Sequence, residues 1–165
     1  MKNPKKDLSL VSQVDWGRLA AYIDGEGCVH TGMTKHKDPD YQGRKGSEYI
    51  KVFIANTNLM LVLWLQETFG GAIQIQSKQS ERWKEAYVWT VSCVQAAEIL
   101  RGCMPYFIIK GEQARLCLAL QATMKRWGVK GVPQNVIDER TRIREKIHAL
   151  NRKGPVQAEA GTSVN

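Results

Sequence analysis

Apolar residues recur at helical spacing between Ser12 and Asp24, where Trp16, Leu19, Ala20 and Ile23 form one stripe behind a cap at Ser12 or Asp15. The spacing predicts an amphipathic helix. It ends at Gly25-Glu-Gly27, because glycine readily leaves helical dihedrals. Residues Cys28 to His36 are suited to a strand, and the polar stretch Lys37–Gly46, with Pro39, Gly43 and Gly46, reads as a turn. From Glu48 to Ala55 the period drops to two: Ile50, Val52 and Ile54 share one face, and Tyr49, Lys51 and Phe53 the other. Asn56-Thr-Asn58 opens a helix over Leu59–Phe69 that Gly70-Gly71 closes. Two further strands follow, Ala72–Lys78 and Glu85–Val91, the second with Tyr87, Trp89 and Val91 on one face. Helices are then predicted over Val94–Cys103, broken by Pro105, over Ile108–Trp127, and over Asn135–Leu150.

Helix, two strands, helix, two strands and helices, with hairpin-like connections between strands, predict an α+β fold. Its expected form is a four-stranded antiparallel sheet with helices on one face and an extra C-terminal helix. The expected division is an N-terminal extension over 1–11, one domain over 12–152, and a disordered tail over 153–165, rich in Gly, Ala and Ser. The sheet face turned away from the helices would carry His30, Thr34, His36, Lys51, Gln74, Gln76 and Lys78. Such side chains suit base edges and phosphates in a major groove, which admits β-ribbons. A solvated sheet face is the plainer reading of the same pattern.

Charge sharpens this picture. Twenty-four Lys and Arg against 16 Asp and Glu give +8, and the excess is uneven. Residues 1–27 carry four of each sign, whereas 101–153 carry 12 basic and four acidic residues. A basic field favours polyanions, so double-stranded DNA is the expected partner. Cys28, Cys93, Cys103 and Cys117 show no metal-ligand or redox spacing and read as reduced, buried thiols. With no apolar run of membrane-spanning length and no secretory h-region, a soluble intracellular protein without a membrane partner or a small-molecule substrate is expected. The histidines lack metal-ligand spacing, and His148 is expected to face solvent on the last helix.

The segment Leu19-Ala-Ala-Tyr-Ile-Asp-Gly-Glu-Gly27 resembles the signature of the LAGLIDADG homing endonucleases. Leu19, Ala20, Ile23, Asp24, Gly25, Glu26 and Gly27 match it, while Ala21 stands where glycine is frequent and Tyr22 where leucine is. The likeness continues through Asn56-Thr-Asn58, Gly70-Gly71, Tyr87-x-Trp89-x-Val91 and Pro105-Tyr-Phe-Ile-Ile-Lys110-Gly-Glu-Gln-Ala114, covering roughly residues 12–127. It implies an αββαββα core. It also implies a site-specific, divalent-metal-dependent endonuclease that cuts both DNA strands across the minor groove and leaves 3′ overhangs. Intron encoding fits better than an intein, since no splicing-domain sequence accompanies the core.

Within that resemblance Glu26 is the catalytic, metal-holding carboxylate, aided by the Gly25 backbone carbonyl, with Mg2+ as cofactor and Mn2+ as its substitute. Lys110 matches a lysine near the scissile phosphate. Asp24 takes a structural supporting role, and Asn56 approaches the site without being catalytic. A single copy of the signature gives half a site, so a homodimer acting on a pseudo-palindrome is implied, with Gly17, Ala20, Ala21 and Asp24 at the interface. Gly17, Ala21 and Gly25 lie four residues apart, and small residues on one face let helices approach closely. Two readings remain beside this one on the same fold: an intron RNA maturase, and a non-catalytic DNA-binding regulator.

Overall fold

The computed structural model describes residues 6–34, 47–76, 84–125 and 131–152. His36 and Lys78, both expected on the outer sheet face, lie outside the described residues, as does 153–165. Helix α1 spans Gln13–Gly25 and is capped at its N-terminus by Ser12. Ser12 Oγ accepts from the Asp15 amide at 3.1 Å, and its hydroxyl donates to the Asp15 carboxylate. Strands β1 (Gly27–Met33) and β2 (Glu48–Asn56) follow, then α2 (Leu59–Phe69), capped by Asn58. Strands β3 (Ala72–Gln76) and β4 (Ala86–Ser92) precede α3 (Cys93–Cys103), α4 (Gly111–Thr123) and α5 (Gln134–Asn151).

The sheet is antiparallel in the order β1-β2-β4-β3, so the two middle strands come from different hairpins. Its helix side buries Val29, Ile50, Val52, Ile54, Trp89 and Val91 against Leu19, Ala20 and Ile23 of α1 and against α2–α4. Two polar groups caught in this core are matched. The Thr31 hydroxyl donates to the Tyr49 carbonyl at 3.0 Å, and the Trp89 indole to the Gly70 carbonyl at 2.7 Å. Leu8 and Val11 also pack on the core from a short 3₁₀ turn, Leu8–Leu10, capped by Asp7.

Two boundaries differ from the sequence expectation. The helix expected from Ile108 starts at Gly111, because Ile108–Lys110 form a turn whose amides are held from another element. Its described end is Thr123. Helix α5 packs against the sheet. Glu48 lies on the core-facing side of β2, and its carboxylate takes Arg144 at 2.7 Å and Arg140 at 3.3 Å. Arg140 also donates to the Thr123 carbonyl and hydroxyl. Further along, Asn151 donates to the Val29 carbonyl at 2.8 Å, and His148 Nε2 lies 3.2 Å from the Thr31 carbonyl. His148 thus meets β1, where sequence placed it in solvent, and its ring stacks on His30 at 5.8 Å.

Candidate functional site

Glu26 closes α1, its amide bonded to the Tyr22 carbonyl at 2.9 Å, and its side chain is exposed. Gly27 then turns the chain into β1 so tightly that a Cβ there would lie 2.7 Å from Ile23 Cα. The neighbouring strand brings Asn56 to the same point. Asn56 Nδ2 donates to Glu26 Oε2 at 2.6 Å, while Asn56 Oδ1 accepts from the Asn58 amide at 2.8 Å. The second bond fixes which way the amide faces, so the first holds the carboxylate. Glu26 Oε1 receives no hydrogen bond from a described residue.

Beneath this carboxylate, α1 and the start of α4 grip each other reciprocally. Asp24 Oδ2 accepts from the amides of Ile108 (2.7 Å) and Ile109 (3.3 Å), and Oδ1 from that of Lys110 (2.8 Å). In return Lys110 Nζ donates to the carbonyls of Ile23 (2.6 Å), Asp24 (3.1 Å) and Gly27 (2.5 Å). An acid thus caps the N-terminal end of one helix while an ammonium caps the C-terminal end of the other, each matched to the local dipole. Lys110, which the resemblance set near the scissile phosphate, is bound here to the backbone at the end of α1. Its three ammonium protons point at backbone carbonyls. Asp24 is tied inside its own chain, in the structural role expected of it and away from the exposed helix face.

That exposed face of α1 carries Val14, Arg18, Ala21, Tyr22 and Gly25, with Gly17 at its margin. Ala20 does not belong to it. It is fully buried in the chain's own core, on the side of Trp16, Leu19 and Ile23. A Cβ on Gly25 would meet nothing within 4 Å, and one on Gly17 only Tyr106 at 3.8 Å. The chain's own packing therefore does not require either glycine.

The outer sheet face brings His30 opposite Lys51, and Gln74 and Gln76 opposite Val88 and Ala86. Thr34 is committed to closing the β1–β2 hairpin, its hydroxyl donating to the Ser47 carbonyl and accepting from the Ser47 amide. Burial first, then the cations of His148 and Lys51, holds the His30 imidazole below its ordinary 6.5. All four cysteines are free, and burial pushes Cys103 and Cys117 up to about 12. Cys93 departs from the expectation of buried thiols: it is exposed. The Glu48–Arg140–Arg144 cluster was missed in sequence, although the period-two pattern sets Glu48 in register with Ile50 and so demands a partner.

No family model matches the sequence, and no curated protein does. Solved structures match clearly. The homing endonuclease I-CvuI, solved with the I-CreI target in the presence of magnesium, superimposes with a TM-score of 0.67 at 17% identity, over 87% of this chain and 85% of that one. The archaeal intron-encoded homing endonuclease I-Vdi141I, complexed with DNA, gives 0.66 at 18% identity over 86% of each chain. The LAGLIDADG homing endonuclease I-LtrWI, bound to target DNA, gives 0.60 at 19% identity over 88% of this chain but only 47% of that one. The chain has the fold of the LAGLIDADG homing endonucleases. On I-LtrWI it spans about half the length.

Proposed function

We propose that this chain is one half of a homodimeric, sequence-specific DNA endonuclease that cuts both strands of a long pseudo-palindromic site and leaves 3′ overhangs. The observation that carries the reading is the end of α1. An exposed carboxylate, aimed by Asn56, stands at the end of the exposed face of α1, just past the small residues Ala21 and Gly25. Packing two copies of that face about a two-fold axis places two Glu26 side chains side by side, near the two strands of one duplex. The likeness to half of I-LtrWI supports the same arithmetic.

The donor set fits a hard divalent cation. Among the described residues no three His, Cys, Asp or Glu side chains are grouped to hold a metal. What one chain offers is the Glu26 carboxylate and the Gly25 carbonyl, oxygen ligands that suit magnesium completed by water and DNA phosphate oxygens. A divalent cation held by these oxygens would supply a more acidic bound water and charge stabilisation for the leaving 3′-oxygen. The chain's own contribution is positional. Asn56 sets the carboxylate rotamer, and the Asp24–Lys110 lock fixes the turn that presents it.

The test separates chemistry from binding. Glu26→Gln keeps an oxygen for Asn56 but loses the charge, so cleavage with magnesium should fall by orders of magnitude. DNA affinity, which rests on the basic surface and the sheet, should persist. Cleavage that survives the substitution refutes the assignment of Glu26. Affinity for intron RNA over duplex DNA in the same preparation favours a maturase.

A further inference from the structure

The outer face of the sheet is not uniformly polar, and its apolar part is localised. Strand pairing sets its side chains in rows. Ala55, Val88 and Gln74 form one row, Cys28, Phe53, Thr90 and Ala72 the next, and His30, Lys51 and Ser92 a third. Beyond the first row, Ala86 pairs with Gln76. Glu26 and Asn56 lie at the end of the sheet where Gly27 and Ile54 pair, so the rows nearest the carboxylate are those of Val88 and Phe53. On the two middle strands the first of these rows presents Ala55 and Val88 and the second presents Phe53 beside Thr90, with Ala86 beyond the first; the side chains of Phe53, Ala55, Ala86 and Val88 can neither donate nor accept a hydrogen bond. None of the four is buried, and Ala55 is exposed.

Resting on the endonuclease reading above, we propose that this apolar block recognises thymines by their C5-methyl groups in the major groove. The polar rows and the two glutamines read hydrogen-bonding edges around it. Three observations favour a DNA groove over an apolar protein partner as the occupant. The described residues of this face include no Asp or Glu. Lys51 lies within it, its ammonium 5.5 Å from the centroid of the Phe53 ring, a cation placed to meet phosphate. The chain as a whole carries +8. The spacing also fits. Successive rows on one face are about 6.7 Å apart, and base pairs rise about 3.4 Å, so each row steps about two base pairs. The two rows that hold this apolar block cover about four base pairs on each side of the cleavage centre. There, phenylalanine, alanine or valine can contact a thymine methyl but cannot reward a guanine or an adenine through hydrogen bonds.

The experiment uses the full chain. Duplexes bound from a randomised library are sequenced, and each selected thymine is then replaced singly by deoxyuridine, which removes only the methyl group. Binding is read by fluorescence anisotropy. Deoxyuridine should weaken binding about fourfold at one or more thymines in the segments flanking the cleavage centre, the factor expected for one buried methyl of ~0.8 kcal/mol. Val88→Ser or Phe53→Gln should abolish that preference at a defined base pair while leaving selection at outer positions intact. If sequence selection is retained but no central thymine is selected, or deoxyuridine is tolerated at all of them, the methyl reading is overturned and the DNA-reading sheet stands. If no sequence is selected at all, the endonuclease reading fails and this inference with it.

Discussion

Replacing Lys110 with methionine asks what its ammonium does. Methionine retains most of the unbranched stem, so packing changes little, while the charge and all three donors disappear. Three carbonyls are affected. That of Ile23 still accepts from the Glu26 amide, whereas those of Asp24 and Gly27 lose the ammonium. Hydrogen bonds to a charged group contribute about 1.5–3 kcal/mol each when nothing replaces them. Lys110 is only half-buried and water can reach part of the gap, so the net loss should be about 2–3 kcal/mol, not the sum of three bonds. For a chain of this size that is a fall in Tm of roughly 4–12 °C. Urea denaturation of both proteins at one fixed concentration measures it, since the proposed dimer would make stability concentration-dependent. Cleavage should also fall, because the turn presenting Glu26 loosens. An unchanged unfolding midpoint with cleavage abolished would refute the lock and place the ammonium on the substrate.

Three further outcomes are expected. Ala21→Leu fills the exposed face of α1 without touching the chain's core, so sedimentation should show monomer where the parent gives dimer, with folding unchanged by circular dichroism. A thiol reagent added to the native protein should modify exposed Cys93 promptly and leave Cys103 and Cys117 until unfolding, since burial keeps both protonated. His30 takes up a proton less readily folded than unfolded. Its contribution to stability is therefore fully present above pH 6.5 and is lost as pH falls through 6.5 towards the lower folded value. Thermal melts between about pH 5 and 7.5 should show that decline, shallower in His30→Asn; equal slopes would mean that the ring does not feel His148 and Lys51.

Much of this was legible from period alone. Ile50, Val52 and Ile54, and Trp89 with Val91, announced the core face of two strands, and Asn58 with Gly70 bounded α2 to the residue. The signature of α1 singled out Glu26, which stands exposed at the end of that helix with Asn56 on its carboxylate. What stayed hidden was contact between distant segments. No spacing says that the Lys110 ammonium folds back onto carbonyls 83 to 87 residues away. Nor does composition say that a basic C-terminal helix docks through Glu48. Ala20 illustrates a different failure. It sits one position from Ala21, but a helix turns about 100° per residue, which carries Ala20 from the open face into the core. The outer sheet face is mixed rather than uniformly polar, because Phe53 and Val88 share it with His30, Lys51, Gln74 and Gln76.

The hydrogen bonds from His148 and Asn151 to β1 have a consequence for how the chain avoids self-association. β1 is the edge of the sheet, and Thr31 and Val29 offer the carbonyls that an incoming strand would seek. The last turns of α5 occupy them. A chain cut short before Gln134 would keep the sheet and its site residues but bare this edge, offering unpaired backbone to every other copy. Such a fragment should fail by aggregating through strand pairing rather than by losing its catalytic groups. The final helix is thus a guard on solubility as well as a carrier of positive charge.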